Sequence, residues 1–410
     1  MALRIVLAVV SSAALFGAYA LWLRLGARGS VPLAALGLTT LWVTIFYGPT
    51  LMPNVLVALA AVVATATLLG AALGRSGRAL PWLGALAIAV ATLARPGDVA
   101  PIGGGLALVV LAHRPWRTRA VALLGPLVAG GVAGALPWIV ESELRYGGTL
   151  ARVHRALSTQ GTGERFVPDY QLRALDGPLL CRPCDRSANP IPPLGVVLWG
   201  VCLLLVALAV VLAVRRLLEE PALVVVPTVV GACCAVPYLF LVGYAAPRFL
   251  LPAYALLALP AAAAVCWVVA HASIPKGVSW LAIAIVAAGH IAVQQRWLAE
   301  VMAFERSSRD GWLAVSEALA DHGVEPPCTL LGRLSAPVGY VSHCDNARVS
   351  MPGDEQFTDA DLAERIRSEQ VALVLRSGEA VPDVAAAWTP VPSTDLPPGW
   401  RVLIAPRPAG

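Results

Sequence analysis

The sequence predicts an α-helical polytopic membrane protein with a small C-terminal α/β domain. Three observations predict it. Apolar segments of membrane-crossing or near-crossing length follow one another from Leu3 to about Val293. The composition is 58% hydrophobic and only 13% charged, with a mean hydropathy of +0.73, which a chain folded as one soluble globule could not carry. Beyond residue 293 the apolar runs stop and charged and turn-forming residues return.

A bilayer core of roughly 30 Å takes about 20 apolar residues in a helix, and about ten segments approach that requirement. Leu3 to Leu23, Asn54 to Leu73, Ala120 to Val140, Leu194 to Val214, Ala222 to Val242 and Phe249 to Ala270 reach or nearly reach it. Val31 to Phe46, Leu80 to Ala94, Val99 to Ala112 and Val278 to Val293 are shorter, and would stand upright, thin the bilayer or borrow flanking residues. This gives a transmembrane domain over 1–293, with a long loop at 141–193, and a second domain over 294–410.

Orientation follows from the basic residues, because short loops rich in Lys and Arg stay in the cytoplasm. Arg24 and Arg28, Arg75 and Arg78, Arg114, Arg117 and Arg119, Arg215 and Arg216, and Lys276 fall on alternate connections of one side. The short connections of the other side hold Arg4, Arg95 and Arg248. The N-terminus, the 141–193 loop and the C-terminal domain are therefore expected outside the cytoplasm. Reading the first segment as a signal peptide cut after Ala18, Tyr19 and Ala20 is disfavoured, since the remaining basic connections would then face the wrong way.

The net charge of +5 is modest and no basic run points to nucleic acid. Cys202, Cys233, Cys234 and Cys266 lie in apolar segments, whereas Cys181, Cys184, Cys328 and Cys344 lie in the expected outer regions. An even number outside fits disulfides in an oxidising compartment, with Cys328 and Cys344 the favoured pair of the C-terminal domain. For Cys181-Arg-Pro-Cys184, a structural disulfide is favoured over a zinc half-site or redox pair, because no second C-x-x-C or His pair accompanies it. No metal site is assigned.

The segment interiors hold essentially no Asp, Glu, Lys or Arg, which argues against an ion-coupled transporter or channel. Gly103 to Gly105, Gly130, Gly131, Pro227 and Pro237 read as close packing or kinks. The 141–193 loop is too long for a mere connector and is expected to carry function or cover a site.

In the C-terminal domain, Trp312 to His322 has helical spacing at Leu313, Ser316, Leu319 and Ala320, while Cys328 to Leu331 and Ala347 to Ser350 read as strands. Thr358 opens a capping-box start to a helix through Glu369. Val371 to Leu375 and Trp400 to Ile404 complete a sheet whose alternation with helices favours parallel pairing, with turns around Pro382 to Pro398.

No P-loop, G-x-S-x-G, H-E-x-x-H or Rossmann glycine fingerprint is present, so chemistry belongs to the membrane domain. Arg95, in A-T-L-A-R-P-G-D, and Arg248, in G-Y-A-A-P-R-F-L-L-P, stand alone among apolar residues at outer segment ends. Either arginine can bind a lipid-linked phosphate through paired hydrogen bonds, or simply snorkel to the headgroups. Asp98, Glu141 and Glu143 are outer carboxylates able to contact an acceptor or a divalent metal, against a simpler reading as solvated loop charges. Tyr47 and Tyr244 read as interfacial anchors, and His154, His322 and His343 as surface residues.

These residues together resemble the GT-C-fold glycosyltransferases that include protein O-mannosyltransferases and the aminoarabinose transferase of lipid A. The resemblance covers most of the chain. It rests on the opening from Leu3 to Gly29, similar to that family's second helix, on Y-G-P-T-L-M-P-N, the L-A-R-P ending, the large loop after P-W-I-V-E, and R-F-L-L-P-A-Y. It implies transfer of a hexosyl or pentosyl group, with inversion, from a polyprenyl-phosphate donor to an acceptor at the outer membrane face. Arg248 is then the first choice for the donor phosphate and Arg95 the second, with membrane lipids and an extracytoplasmic acceptor as further partners.

The family's catalytic base is an Asp or Glu in the first outer loop, after the first helix, where it deprotonates the acceptor. The resemblance and the orientation both place that helix and loop ahead of Met1. The expectation is a fragment, a misplaced start, or a relative that has lost the loop. The rival reading is a non-catalytic membrane protein whose loop and C-terminal domain bind an envelope partner. An intact mass above 42.7 kDa from the native membrane would favour the enzyme.

Overall fold

The computed structural model describes residues 2–75, 77, 79–160, 167–182, 184, 187, 189–332, 334–347 and 359–406. It divides into two compact units, Met1–Val301 and Met302–Gly410.

In the first unit the helices are α1 (Ala2–Arg24), α2 (Ser30–Thr39), α3 (Trp42–Tyr47), α4 (Asn54–Ala72), α5 (Leu80–Ala94), α6 (Pro96–Ala112), the short α7 (Arg114–Arg117) and α8 (Ala120–Arg145). They continue with α9 (Thr149–Gln160), α10 (Pro168–Arg173), α11 (Pro193–Val214), α12 (Ala222–Phe240), α13 (Leu251–His271) and α14 (Lys276–Asp321), with a 3-10 turn at Pro247–Leu250 before α13. Seven of the described helices are long and apolar enough to cross a membrane, and α2, α5 and α6 are shorter apolar helices. The protein is a multi-pass membrane protein, as its composition predicted.

Helix α4 sits at the centre, against α1, α5 and α13. Its Val57, Ala61, Val62, Ala64, Thr65 and Leu69 are fully enclosed. Small side chains let neighbours approach closely where lipid offers no hydrophobic drive. Thr65 and Thr67 donate their hydroxyls to the carbonyls of Ala61 and Ala64, at 2.7 and 3.0 Å, so their polar groups are satisfied within the helix. The tightest crossing is α8 on α5, where a Cβ at Gly130 or Gly134 would strike the backbone of Ala85 or Ala89.

Two expectations for this unit are corrected. Val31 to Phe46 is not one segment: it breaks between α2 and α3, where the Thr39 and Thr40 hydroxyls bond the carbonyls of Ala35 and Leu36 and Leu41 turns extended. The freed Trp42 N–H is taken by Gln294 Oε1 at 2.9 Å. Val278 to Val293 is not a short span, since it forms part of the long helix α14. The 141–193 loop carries the last turn of α8 as well as α9 and α10, which its polar composition concealed.

The second unit holds the end of α14, then β1 (Cys328–Leu331), α15 (Ser335–Ser342), β2 (Asp345–Ala347), α16 (Asp359–Ser368), β3 (Gln370–Arg376), β4 (Thr389–Pro390) and β5 (Trp400–Ile404), in a sheet of order β2-β1-β3-β5-β4. The start of β1 and the residue before β2 are joined by a Cys328–Cys344 disulfide.

Parallel pairing holds for β1 with β2 and β3, but β5 runs antiparallel to both β3 and β4. The return from β3 contains only a short 3-10 turn at Asp383–Ala385 and proline-rich connections, and without a crossover helix the chain comes back antiparallel. The buried stripe at the end of α14 is Val315, Ala318 and Leu319, so of the expected positions Leu319 is buried while Leu313 and Ala320 are exposed and Ser316 is half-buried. That stripe covers one sheet face with Leu330 and Val374, while Leu362 of α16 joins Leu373 and Leu403 on the other. Arg348 to Ser350 of the second expected strand and the Thr358 cap lie outside the described residues.

Candidate functional site

The L-A-R-P-G-D sequence builds the first half of the site. Pro96 cannot continue α5, so the helix stops at Ala94, Arg95 takes an extended-side backbone (φ −160°), and α6 begins with Pro96 in its first turn. Asp98 then falls in the first turn of α6, where a negative side chain complements the helix dipole. Arg95 Nε meets Asp98 Oδ2 at 2.9 Å. Tyr238 of α12 donates its hydroxyl to Asp98 Oδ1 and receives Arg95 Nη2 at 3.1 Å.

The P-R-F-L turn builds the second half. Pro247 sets a 3-10 turn after an extended Ala246 and places Arg248 and Phe249 in that turn. Arg248 Nη1 donates to Tyr47 Oη and to the Leu179 carbonyl, each at 3.0 Å. Phe249 joins the two halves. Its ring lies 5.4 Å from the Arg95 guanidinium and 5.4 Å from that of Arg248, and stacks on Tyr238 at 4.6 Å. Among the described residues no carboxylate pairs with Arg248, whereas Arg95 is neutralised by Asp98.

The 141–193 loop closes over this cluster. Cys181 and Ala245 exchange backbone hydrogen bonds of 2.8 and 3.2 Å, Arg182 lies over the Tyr244 ring at 5.1 Å, and Gln171 Nε2 reaches the Tyr238 carbonyl at 3.4 Å. The Cys181–Cys184 disulfide fixes the short segment beside Leu179 that accepts from Arg248.

The structure thus brings Arg95, Asp98 and Arg248 together, and it does not bring Glu141 and Glu143 to them. Glu141 pairs with Arg152 at 2.8 Å and faces Arg145 at 3.9 Å, while Arg152 is stacked by Trp138 and Tyr146 at 4.6 and 4.3 Å. Glu143 Oε1 accepts the Thr149 N–H and hydroxyl, both at 2.9 Å, and so caps α9. These contacts clamp the α8–α9 hairpin beside an open groove of about 530 Å³ bordered by Leu93, Trp138, Glu141, Leu144 and Arg145.

Among the described residues no three His, Cys, Asp or Glu side chains converge to hold a metal. Asp98 meets Tyr238 and Arg95, and Glu141 and Glu143 meet their own partners, so the three carboxylates are not gathered into one donor set.

Sequence reasoning missed Tyr238 and Phe249 and placed Tyr47 and Tyr244 as interfacial anchors. Tyr47 is instead 2% exposed and holds Arg248, and Tyr244 packs edge-on against Phe249. Phe249 was detectable as the neighbour of Arg248; nothing in the order of residues pointed to Tyr238.

A bundle of apolar helices, a 141–193 loop folded over two arginines and a separate C-terminal α/β unit together form the architecture of a GT-C-fold membrane protein. Two crystal structures of ArnT from Cupriavidus metallidurans are similar to this chain over 98% of its length and 83% of theirs, at 14% identity. The ArnT bound to undecaprenyl phosphate aligns with a TM-score of 0.62 and the apo ArnT with 0.61. The chain has that fold. No family model matches the sequence, and no curated protein does.

Proposed function

We propose that this protein is an integral membrane glycosyltransferase or glycosyltransferase-like protein that binds a polyprenyl-phosphate-linked sugar at the outer membrane face. The observation that carries the reading is Arg248: a cation without a carboxylate partner among the described residues, held between Tyr47 and Leu179 where apolar helices end. A guanidinium so placed can take a phosphate by charge-assisted hydrogen bonds while the prenyl tail stays in lipid.

Several observations support the wider reading. The fold is that of an ArnT whose crystal structure contains undecaprenyl phosphate. Two further arginine-bearing elements, the α5–α6 junction and the Cys181 segment, meet at the same aromatic cluster. The Cys181–Cys184 and Cys328–Cys344 disulfides fit an extracytoplasmic loop and C-terminal domain. The loop at 141–193 covers the site, and the C-terminal domain would help hold the acceptor. Arg248 is the primary donor-phosphate ligand; Arg95, charge-paired in the free protein, is the secondary one.

The test is binding of undecaprenyl phosphate to the protein in lipid nanodiscs. Arg248→Ala is expected to weaken it by about tenfold or more, the loss of one charge-assisted contact, without lowering the thermal midpoint. Unchanged binding would remove Arg248 from the site.

A further inference from the structure

The two arginines of the site differ in one respect that their shared neighbour Phe249 makes consequential. Arg248 adds a full positive charge. Arg95 brings Asp98 with it, and Asp98 is nearly buried, its side chain being 8% exposed against 26% for Arg95. The pair is also loosely made on one side. Asp98 Oδ2 accepts no hydrogen bond of good geometry, so its 2.9 Å contact with Arg95 Nε is ionic, while Oδ1 is tied to the Tyr238 hydroxyl. The carboxylate is therefore fixed by Tyr238, and the guanidinium leans on it.

The two phosphate forms that such a site meets differ by one charge. A glycosyl phosphodiester has a single ionised oxygen. The phosphomonoester left when the sugar is removed has a second ionisation near pH 6 and carries about two charges in mild alkali. Two unmasked guanidiniums would hold the dianion far more tightly than the monoanion. One guanidinium beside a neutral Arg–Asp pair would not.

We infer that Asp98 is the specificity residue of this site: its carboxylate masks Arg95, leaves one effective positive charge at Phe249, and matches the site to a singly charged phosphodiester rather than the doubly charged phosphomonoester. The inference rests on the reading above that the arginines bind a lipid-linked phosphate. Its consequence for a transferase is release of the spent carrier, which an unmasked pair of arginines would retain. Tyr238 is a positioning residue that keeps the carboxylate turned to Arg95.

The experiment measures affinities of the full chain in neutral-lipid nanodiscs at pH 8 for two probes with the same tail, undecaprenyl phosphate and its monomethyl diester. Asp98→Asn is expected to raise the ratio of monoester to diester affinity by about tenfold, the effect of exposing one further charge-assisted contact. Adding Arg95→Ala to Asp98→Asn is expected to return the ratio to the wild-type value. An unchanged or lowered ratio in Asp98→Asn, or a raised ratio that survives loss of Arg95, overturns the inference while leaving phosphate binding at Arg248 intact. Failure of the wild type to bind either probe overturns the reading beneath it as well. Should Asp98→Asn not fold, the double variant carries the test alone. It keeps Arg248 as the one effective cation, so a ratio falling well below wild type would show that the Arg95–Asp98 pair already adds net positive charge in the wild type and refute the mask.

Discussion

Single side chains in this protein do their work through the partner that fixes them. Arg95 and Arg248 have similar apolar sequence surroundings, yet one is compensated by Asp98 and the other is braced by Tyr47 and a backbone carbonyl. Sequence placed both at segment ends and set Asp98 just after Arg95, but the tyrosines that fix them, Tyr238 for Arg95 and Tyr47 for Arg248, lie far from their partners in the chain. A second carboxylate, Asp176 in the 141–193 loop, is held above the usual aspartate range by burial, with the nearby Glu300 carboxylate adding to the rise. A raised acid pKa means that the folded state binds more protons than the unfolded one. The contribution to stability is therefore fully present below the ordinary value of 3.8 and is lost as pH rises through the higher folded value. Asp176→Asn is expected to raise the thermal midpoint at pH 7, with the gain shrinking as the scan is repeated at pH 4; a gain that is equal at both values would contradict this.

At the scale of elements, the helices follow from composition while their contacts follow from small residues. Leu80 to Ala94 is legible as an apolar helix ended by Arg95 and Pro96. That α8 presses its Gly130 and Gly134 onto the α5 backbone is not, because many glycines in the chain have the same apolar flanks. Gly125, on the same helix, faces open space. Gly130→Val is expected to cost about 1–3 kcal/mol by overpacking, read as a lower thermal midpoint in detergent, whereas Gly125→Ala should leave the midpoint near wild type. Because both replacements raise helix propensity, loss of stability in both would show that α8 tolerates no added side chain and that the crossing is not the cause. The split of α2 from α3 belongs here too. Its apolar run reads as continuous, but the threonine hydroxyls bond backward and Gln294, distant in sequence, accepts the freed Trp42 N–H. A periodicity argument has no access to that partner.

For the whole molecule, the charge asymmetry of the loops and the placing of cysteines make one joint prediction. If the 141–193 loop and the C-terminal unit face an oxidising compartment, the Cys328 and Cys344 thiols should resist alkylation in intact native membranes until a reductant is added. Free thiols at both positions would instead put that unit in the cytoplasm. Closing a loop of sequence separation 16 also constrains the unfolded chain, so Cys328→Ser with Cys344→Ser is expected to destabilise the unit by about 2–4 kcal/mol, seen as earlier unfolding in urea.

Legible in the chain alone were the membrane class, most of the apolar segments, the strands at Cys328–Leu331, Gln370–Arg376 and Trp400–Ile404, and the two arginines at segment ends. Each is a local or additive property: hydropathy summed over a span, a proline that must end a helix, a charge counted per loop. The tertiary structure alone decided that β5 returns antiparallel, that Glu141 and Glu143 serve a hairpin, and that Arg95 and Arg248 share Phe249 with opposite charge compensation. Strand pairing and the Arg95–Phe249 contact join residues far apart in the chain, and the Glu141, Glu143 and Asp98 pairings, though close in sequence, need a local conformation that no single residue specifies, so the free energy of each meeting belongs to the pair, not to either residue read alone.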